Sequence, residues 1–549
     1  MKRIFLNVIL TFLICSFSGL LSAQPGTDSG KPRVVIGIVV ENMRPDYVQR
    51  YWNKFQSGGF KKLYTNGAVC TNVNITQHVQ SYASGTATLF TGTYPSVHGI
   101  VDKTWYDRPK KKVVDCTEDD YYFTVGADTK SGNASPVKLL STTVTDNLKL
   151  FSMGKSKVLS VAMNRESAIF AAGHTADGAY WLDTESGRMV SSSYYVNTFP
   201  DWVRNFNSEN RPEIYSSRNW TTLFPESFYE ESVIDNYFYE RGYFDTWKTF
   251  PHNLNRYSRR SENFSLLKTT PFANLIIKDF VIEMLKSEDI GNDENTDFIT
   301  AVFSSMDYEN GSFGPVSLEM QDLYLYLDQY IAELIDFAEN KFGKNNVLFF
   351  LTANTSASYP VDYLKGELKF PVDNFSPESA IALMNSYLNI LYGEQRWVEN
   401  YSEMQVYLDH DLISKYKVNL NEMREVTSDF ISQFDGVRVA VPAHQLENGY
   451  SGNSLITPLF NSYSKGRSGD LLYVLKEGWQ PAYKYTRVNY TDQTHVPLVF
   501  YGARIQAGEI NGKYNIVDLA PTLSYLLNIP VPDKSEGTII KELESSRNY

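Results

Sequence analysis

Polar side chains recur where apolar runs of this chain begin or end. Glu41 closes Val34–Val40, and Asn164-Arg165-Glu166 follows Val158–Met163. Asp307 follows Asp297–Ser305, and Asn354-Thr355 follows Asn346–Leu351. His495 precedes Val496–Tyr501. Carboxylates and a neutral imidazole are donors for a divalent cation. Glu41, Asp307, Glu309, Asp492 and His495 are therefore candidate ligands for a single ion. The Ser81–Thr86 loop leads into the apolar stretch Ala87–Phe90. A loop entering a helix N-terminus favours anions and activated nucleophiles, which makes Ser81 or Ser84 a candidate attacking group. His98, in the turn Tyr94–Ile100, reads as a hydrogen-bonded structural histidine.

The elements that must position these groups alternate between strands and helices. Val34–Val40 is a near-continuous β-branched run, the pattern of a parallel strand buried on both faces. Three more such runs, Val158–Met163, Asp297–Ser305 and Asn346–Leu351, end at the polar groups above. Val496–Tyr501 is the last core strand, with Pro497 placed where a missing donor matters least. Apolar residues at helical spacing predict helices over Pro271–Lys286, Val316–Phe342 and Tyr514–Leu527. Strands alternating with helices imply a doubly wound α/β/α sandwich with ligands at the carboxyl ends of its strands. Two stretches break the pattern: about 191–260, rich in aromatic residues, reads as a cap, and about 358–447 reads as a smaller α+β insertion. No internal repeat or low-complexity segment interrupts the chain.

The chain of 549 residues is 42% hydrophobic, enough for a large core. Lys2 and Arg3 precede an apolar stretch, Ile4–Leu21, with Ser22-Ala23 before Gln24. This is the pattern of an export signal over residues 1–23, leaving a main domain of 24–549. Cys15 lacks the small residue before it that a lipoprotein signal needs. The protein is expected to be periplasmic or secreted, with no membrane-spanning segment in the mature chain. Loss of the two cations of the signal takes the formal net charge from −12 to −14. That balance excludes nucleic acid as a partner and leaves an unidentified protein or small molecule. In an exported chain the two remaining cysteines, Cys70 and Cys116, suggest one disulfide.

The order and spacing of these stretches resemble the alkaline phosphatase superfamily, and most closely the bacterial phosphate-irrepressible alkaline phosphatases. The matching segments include VVIGIVVENMRPDY, LFTGTYPSVHGI, GAYWLD, MDYENGSFGP, FFLTAN, GDLLYVLKEGW, THVPLVFYG and IVDLAPTLSYLL. The resemblance implies phosphate-ester hydrolysis with two zinc ions and a threonine or serine nucleophile between them. This chain departs from that pattern at most functional positions. The family's first-strand aspartate is Glu41, and its nucleophile position aligns with Tyr82. Asp307 and His495 remain. The histidine four residues after Asp307 is Gly311, and the Asp-His pair after the fourth strand is Asn354-Thr355. The phosphate-contacting asparagine aligns with Lys103. The Lys-x-Arg pair of the monoesterase branch is Asn164-Arg165-Glu166.

Held against the family pattern, these changes predict a catalytically degenerate phosphatase fold with a binding or structural role. Glu41, Asp307, His495 and Asn354 are then vestigial metal positions, and at most one divalent cation is held weakly. Lys103, Asn164, Glu166, Gly311 and Thr355 line the vacated pocket. Asp307 is expected to bond His495, with Tyr82 over the pair. One alternative is a metal-dependent phosphoric mono- or diester hydrolase rebuilt around Glu41, Asp307 and His495. A second is a ligand-binding module formed by the aromatic cap and the pocket.

Overall fold

A computed structural model describes residues 31–547 apart from 79, 307–310, 403, 450–454 and 483–493. Its centre is a ten-stranded mixed sheet. In chain order the strands are β1 (Val34–Glu41), β2 (Ala68–Asn74), β3 (Thr124–Val125), β4 (Val158–Ala162), β5 (Gly178–Asp183), β6 (Arg188–Ser192), β7 (Asp297–Ser304), β8 (Val347–Thr352), β9 (His495–Gly502) and β10 (Gly508–Asn515). Their spatial order is β10-β2-β9-β8-β1-β7-β4-β5-β6-β3. Strands β8, β1, β7, β4 and β5 are mutually parallel. Every residue of β1, β7 and β8 is buried, because helices cover both faces of the sheet. Five helices matter below: α1 (Tyr82–Thr91), α2 (Arg165–Ala172), α3 (Pro271–Ser287), α4 (Leu318–Phe342) and α5 (Leu519–Leu527). Helices α1 and α2 pack together, and so do α3 and α4.

Close packing explains one glycine within β1. A Cβ on Gly37 would stand 2.4 Å from the ring of Phe350, on the neighbouring strand β8. The register also fixes the strand ends. Glu41 pairs with Ser304 and Val39 with Thr352, so Glu41, the residues after Ser304 and the residues after Thr352 emerge at one edge.

Two predicted boundaries differ. The closing helix begins at Leu519, not near Tyr514, because Gly508–Asn515 pairs with β2 as a strand. Strand β9 begins at His495 and runs antiparallel to both neighbours. Pro497 lies inside it, opposite the β2 irregularity between Cys70 and Val73. A bulged partner leaves no ladder bond for the missing N–H to make.

A second apolar cluster has its own antiparallel sheet of Val398–Ser402, Gln405–Leu408, Leu471–Leu475 and Val437–Pro442. Trp397, Met384, Leu388 and Met423 are wholly buried in it. Asp470 ties this cluster to the main body. Its carboxylate accepts from Arg108 at 2.7 Å, from Arg424 at 2.7 Å and from His410 at 2.9 Å.

The expected disulfide is absent: Cys70 and Cys116 are both free and buried. Their surroundings show why. Cys70 lies in β2 near Asp518 and Glu542, whereas Cys116 lies among Asp115, Glu166, Arg165 and Lys103. Burial pushes the Cys70 thiol up to about 12, and the Cys116 thiol also lies well above its ordinary value. The export signal falls on residues outside those described. Among the described residues no helix is long and apolar enough to cross a membrane.

Candidate active site

Glu41 anchors the carboxyl edge. Its side chain is 1% exposed, yet both oxygens have donors. Ser167 Oγ donates to Oε1 at 2.5 Å, and Asn164 Nδ2 donates to Oε2 at 2.8 Å. Both donors come from the β4–α2 junction, where Asn164 is the residue before the helix. Asn164 in turn accepts from Lys268 Nζ at 2.6 Å. A cation therefore approaches Glu41 through a neutral amide.

Asn42 continues from Glu41 with φ 59°, the left-handed region that asparagine tolerates better than most residues. That turn aims its side chain across the site. Asn42 Nδ2 donates to the Tyr82 hydroxyl at 2.7 Å, and Asn42 Oδ1 accepts from Thr355 Oγ1 at 3.0 Å. Asn354, wholly buried, donates to Thr86 Oγ1 at 3.0 Å. Gly85 makes this approach possible, since a Cβ there would stand 2.0 Å from the Asn354 carbonyl oxygen. Glu41, Asn42, Tyr82, Asn164, Asn354 and Thr355 thus form one connected group.

Helix α1 presents its N-terminus to this group. Ser81 is its N-cap, accepting from Ser84 N, with Ser84 returning the bond in a capping box. Ser81 and Tyr82 are half-buried, whereas Ser84 is wholly buried against Gln77 Nε2 at 3.0 Å. His98 is the expected structural histidine. Its Nδ1 accepts from Ile100 N, its Nε2 meets Thr88 Oγ1 at 3.0 Å, and burial lowers its pKa to about 3.

Charge is balanced locally. Glu166 sits 3.5 Å from Lys103 Nζ. Burial opposes its ionisation, but Lys103 and its own backbone N–H hold it below the usual carboxylate range. Arg165 turns away to Asp115 at 2.8 Å. Asp102, next to Lys103, is 6% exposed, and burial pushes its pKa up to about 6. Neither Asp102, Lys268 nor Ser167 was singled out from the sequence. Only the adjacency of Asp102 to Lys103 offered a signal.

Of the remaining expected residues, Gly311 pairs through its backbone with Tyr243 of the aromatic stretch. His495, exposed, starts β9 opposite Asn74, which places it at the carboxyl edge. Asp307, Glu309 and Asp492 lie outside the described residues, and with them the expected Asp307–His495 bond. The other oxygens described on this edge, the amide oxygens of Asn42 and Asn354, both accept from the hydroxyl of Thr355.

The model for type I phosphodiesterase/nucleotide pyrophosphatase matches residues 35–497. Alkaline phosphatase PafA of Elizabethkingia meningoseptica is 34% identical, covering 96% of this chain and 97% of its own. Alkaline phosphatase PhoV of Synechococcus elongatus is 32% identical, covering 99% and 100%. The crystal structure of wild-type PafA superposes with a TM-score of 0.87, covering 93% of this chain and 99% of that one. These relatives correct the expectation of a catalytically degenerate protein and the lean against an enzyme. Chains of the same extent that share a third of its residues are alkaline phosphatases.

Proposed function

The chain belongs to the type I phosphodiesterase/nucleotide pyrophosphatase family, and from that premise we propose that it is an exported hydrolase of phosphoric mono- or diesters. The observation that carries this reading is Glu41, a buried carboxylate at a parallel strand end, held by Ser167 and Asn164. Glu41, Asp307 and His495 are the residues assigned to a divalent cation. Such an ion supplies Lewis acidity toward the phosphoryl oxygens and eases departure of the alcohol.

The chain's own residues supply the rest. The N-terminus of α1 favours the anionic phosphoryl group. Lys103, at Glu166, and Lys268, at Asn164, add positive charge near the start of α2. Glu166 opposes a second negative charge on the substrate, so the site suits a singly charged diester better than a dianionic monoester. Asn42, Tyr82 and Thr355 form a neutral wall that orients the ester without competing for charge. The aromatic stretch of about 191–260 is assigned as the cap over the leaving group, because Gly242–Tyr243 pairs with Gly311–Ser312.

The test is turnover of an aryl phosphate and a bis-aryl phosphate by the purified protein with zinc, magnesium, manganese or calcium added singly. Cation-dependent turnover that falls at least 100-fold in Glu41→Gln is expected. No turnover with any of the four ions sinks the proposal.

A further inference from the structure

The aromatic stretch ends in a helix, Leu254–Ser261, that carries Arg256, Arg259 and Arg260. Spacing of three and four residues sets them side by side on one helix face. All three are exposed, and with Trp247, Asn253 and Asn255 they line a cavity of about 500 Å³.

Two of the three are held in place by rings. The Arg256 guanidinium carbon lies 4.4 Å from the centroid of the Trp247 ring. That of Arg260 lies 4.5 Å from the Phe244 centroid and 5.7 Å from that of Trp247. Trp247 stacks on the buried Tyr257, with centroids 4.7 Å and planes 14° apart, and Tyr257 packs against the wholly buried Tyr243. The stack runs from the core to the surface, so these guanidinium groups stand on a fixed platform. Contact with a ring uses the face of a guanidinium and leaves its N–H edge to donate elsewhere. Asn253 Oδ1 accepts from Arg256 N at 2.9 Å, which leaves the Asn253 amide nitrogen as a further donor.

The protein does not neutralise these charges itself. Arg204 and Arg211 of the same stretch pair with Asp201, Glu209 and Asp279. Among the described residues, no carboxylate comes within 4.0 Å of the Arg256, Arg259 or Arg260 guanidinium. The chain as a whole has a formal net charge of −12. Three adjacent unpaired arginines in so acidic a chain make a local positive field that favours a polyvalent anion.

We infer that this cavity is a second anion site, and that it takes a small soluble oligophosphate. None of its lining residues belongs to the group around Glu41. Guanidinium forks match phosphate oxygens in bidentate fashion, and three of them side by side suit successive phosphates better than a single ion. A recess encloses a compact ligand, whereas a lipid surface is flat. The site stands whether or not the Glu41 edge hydrolyses esters.

The test is calorimetric titration of the purified protein with inorganic tripolyphosphate, with divalent cations removed so that binding is read apart from turnover. One site per chain is expected, with affinity falling as salt rises. The double variant Arg256→Gln, Arg260→Gln should bind about ten-fold more weakly or worse. Both side chains are exposed, so the fold is kept, and an unchanged melting temperature checks this. Arg241→Gln, at an exposed arginine outside the cavity, and Glu41→Gln should each bind as the parent does. No binding of tripolyphosphate, parental affinity in the double variant, or loss of affinity in Glu41→Gln overturns the inference. Equal affinity for orthophosphate and tripolyphosphate overturns it too, by reducing the cavity to a site for an adventitious ion. Binding to phosphatidylglycerol vesicles without binding to tripolyphosphate overturns it in favour of a membrane surface.

Discussion

Asn164 stands between Lys268 and Glu41, accepting from the ammonium at 2.6 Å and donating to the carboxylate at 2.8 Å. A direct ion pair would neutralise Glu41 and close the site. The interposed amide orients the carboxylate and keeps the cation one residue away.

Removing that amide leaves the buried Glu41 and the half-buried Lys268 each short of a bond. Asn164→Ala is expected to lower unfolding free energy by about 1–3 kcal/mol. Urea denaturation of parent and variant measures it, and a change under about 0.3 kcal/mol would show that the relay carries no strain-free bond worth the name.

Asp102 predicts a pH dependence with a definite sign. Its folded pKa of about 6 lies above its ordinary 3.8, so the folded state holds the proton more tightly. The native state is therefore favoured at low pH, and stability falls as pH rises from about 4 to about 6. The full penalty is about 3 kcal/mol, reached above the folded pKa. Asp297, Asp322 and Asp328 share the direction, so the measurement is a difference. Asp102→Asn should gain stability over the parent at pH 7 and not at pH 4. A pH-independent difference contradicts this.

Asp470 works the opposite way. Burial opposes its charge, but His410, Arg108 and Arg424 hold its pKa far below the usual range. Its contribution is present above the unfolded pKa and is lost as pH falls. Asp470→Asn leaves two partly buried guanidinium groups without their carboxylate and should cost about 2–4 kcal/mol. Limited proteolysis should then cut around the second apolar cluster before the main sheet, and simultaneous loss of both would refute the tie.

The two thiols give a direct chemical count. Protein lacking residues 1–23, denatured without reductant, should titrate both Cys70 and Cys116 with a thiol reagent. The native protein should react slowly, since both side chains are buried and their thiolates disfavoured. No thiols in the denatured sample would restore the disulfide.

The local pattern of residues determined the strands, the helices and the edge where polar groups gather. Val34–Val40 and Val347–Leu351 carry no polar side chain, and burial on both faces follows from that alone. Glu41, Asn164, Asn354 and Thr355 were legible because a strand end is a local event. Their partners were not. Glu41 meets Asn164 and Ser167 from more than a hundred residues away, and Asn42 meets Thr355 across 313. Such pairings depend on strand order in the sheet, which periodicity does not encode. Lys268 arrives on a turn before α3 that carries no pattern of its own. Cys70 and Cys116 looked like a pair because counting ignores where β2 and the Cys116 loop sit. Ser81 and Ser84 read as equivalents in the sequence. Only the fold separates them, because the first turn of α1 buries Ser84 completely and leaves Ser81 half-buried.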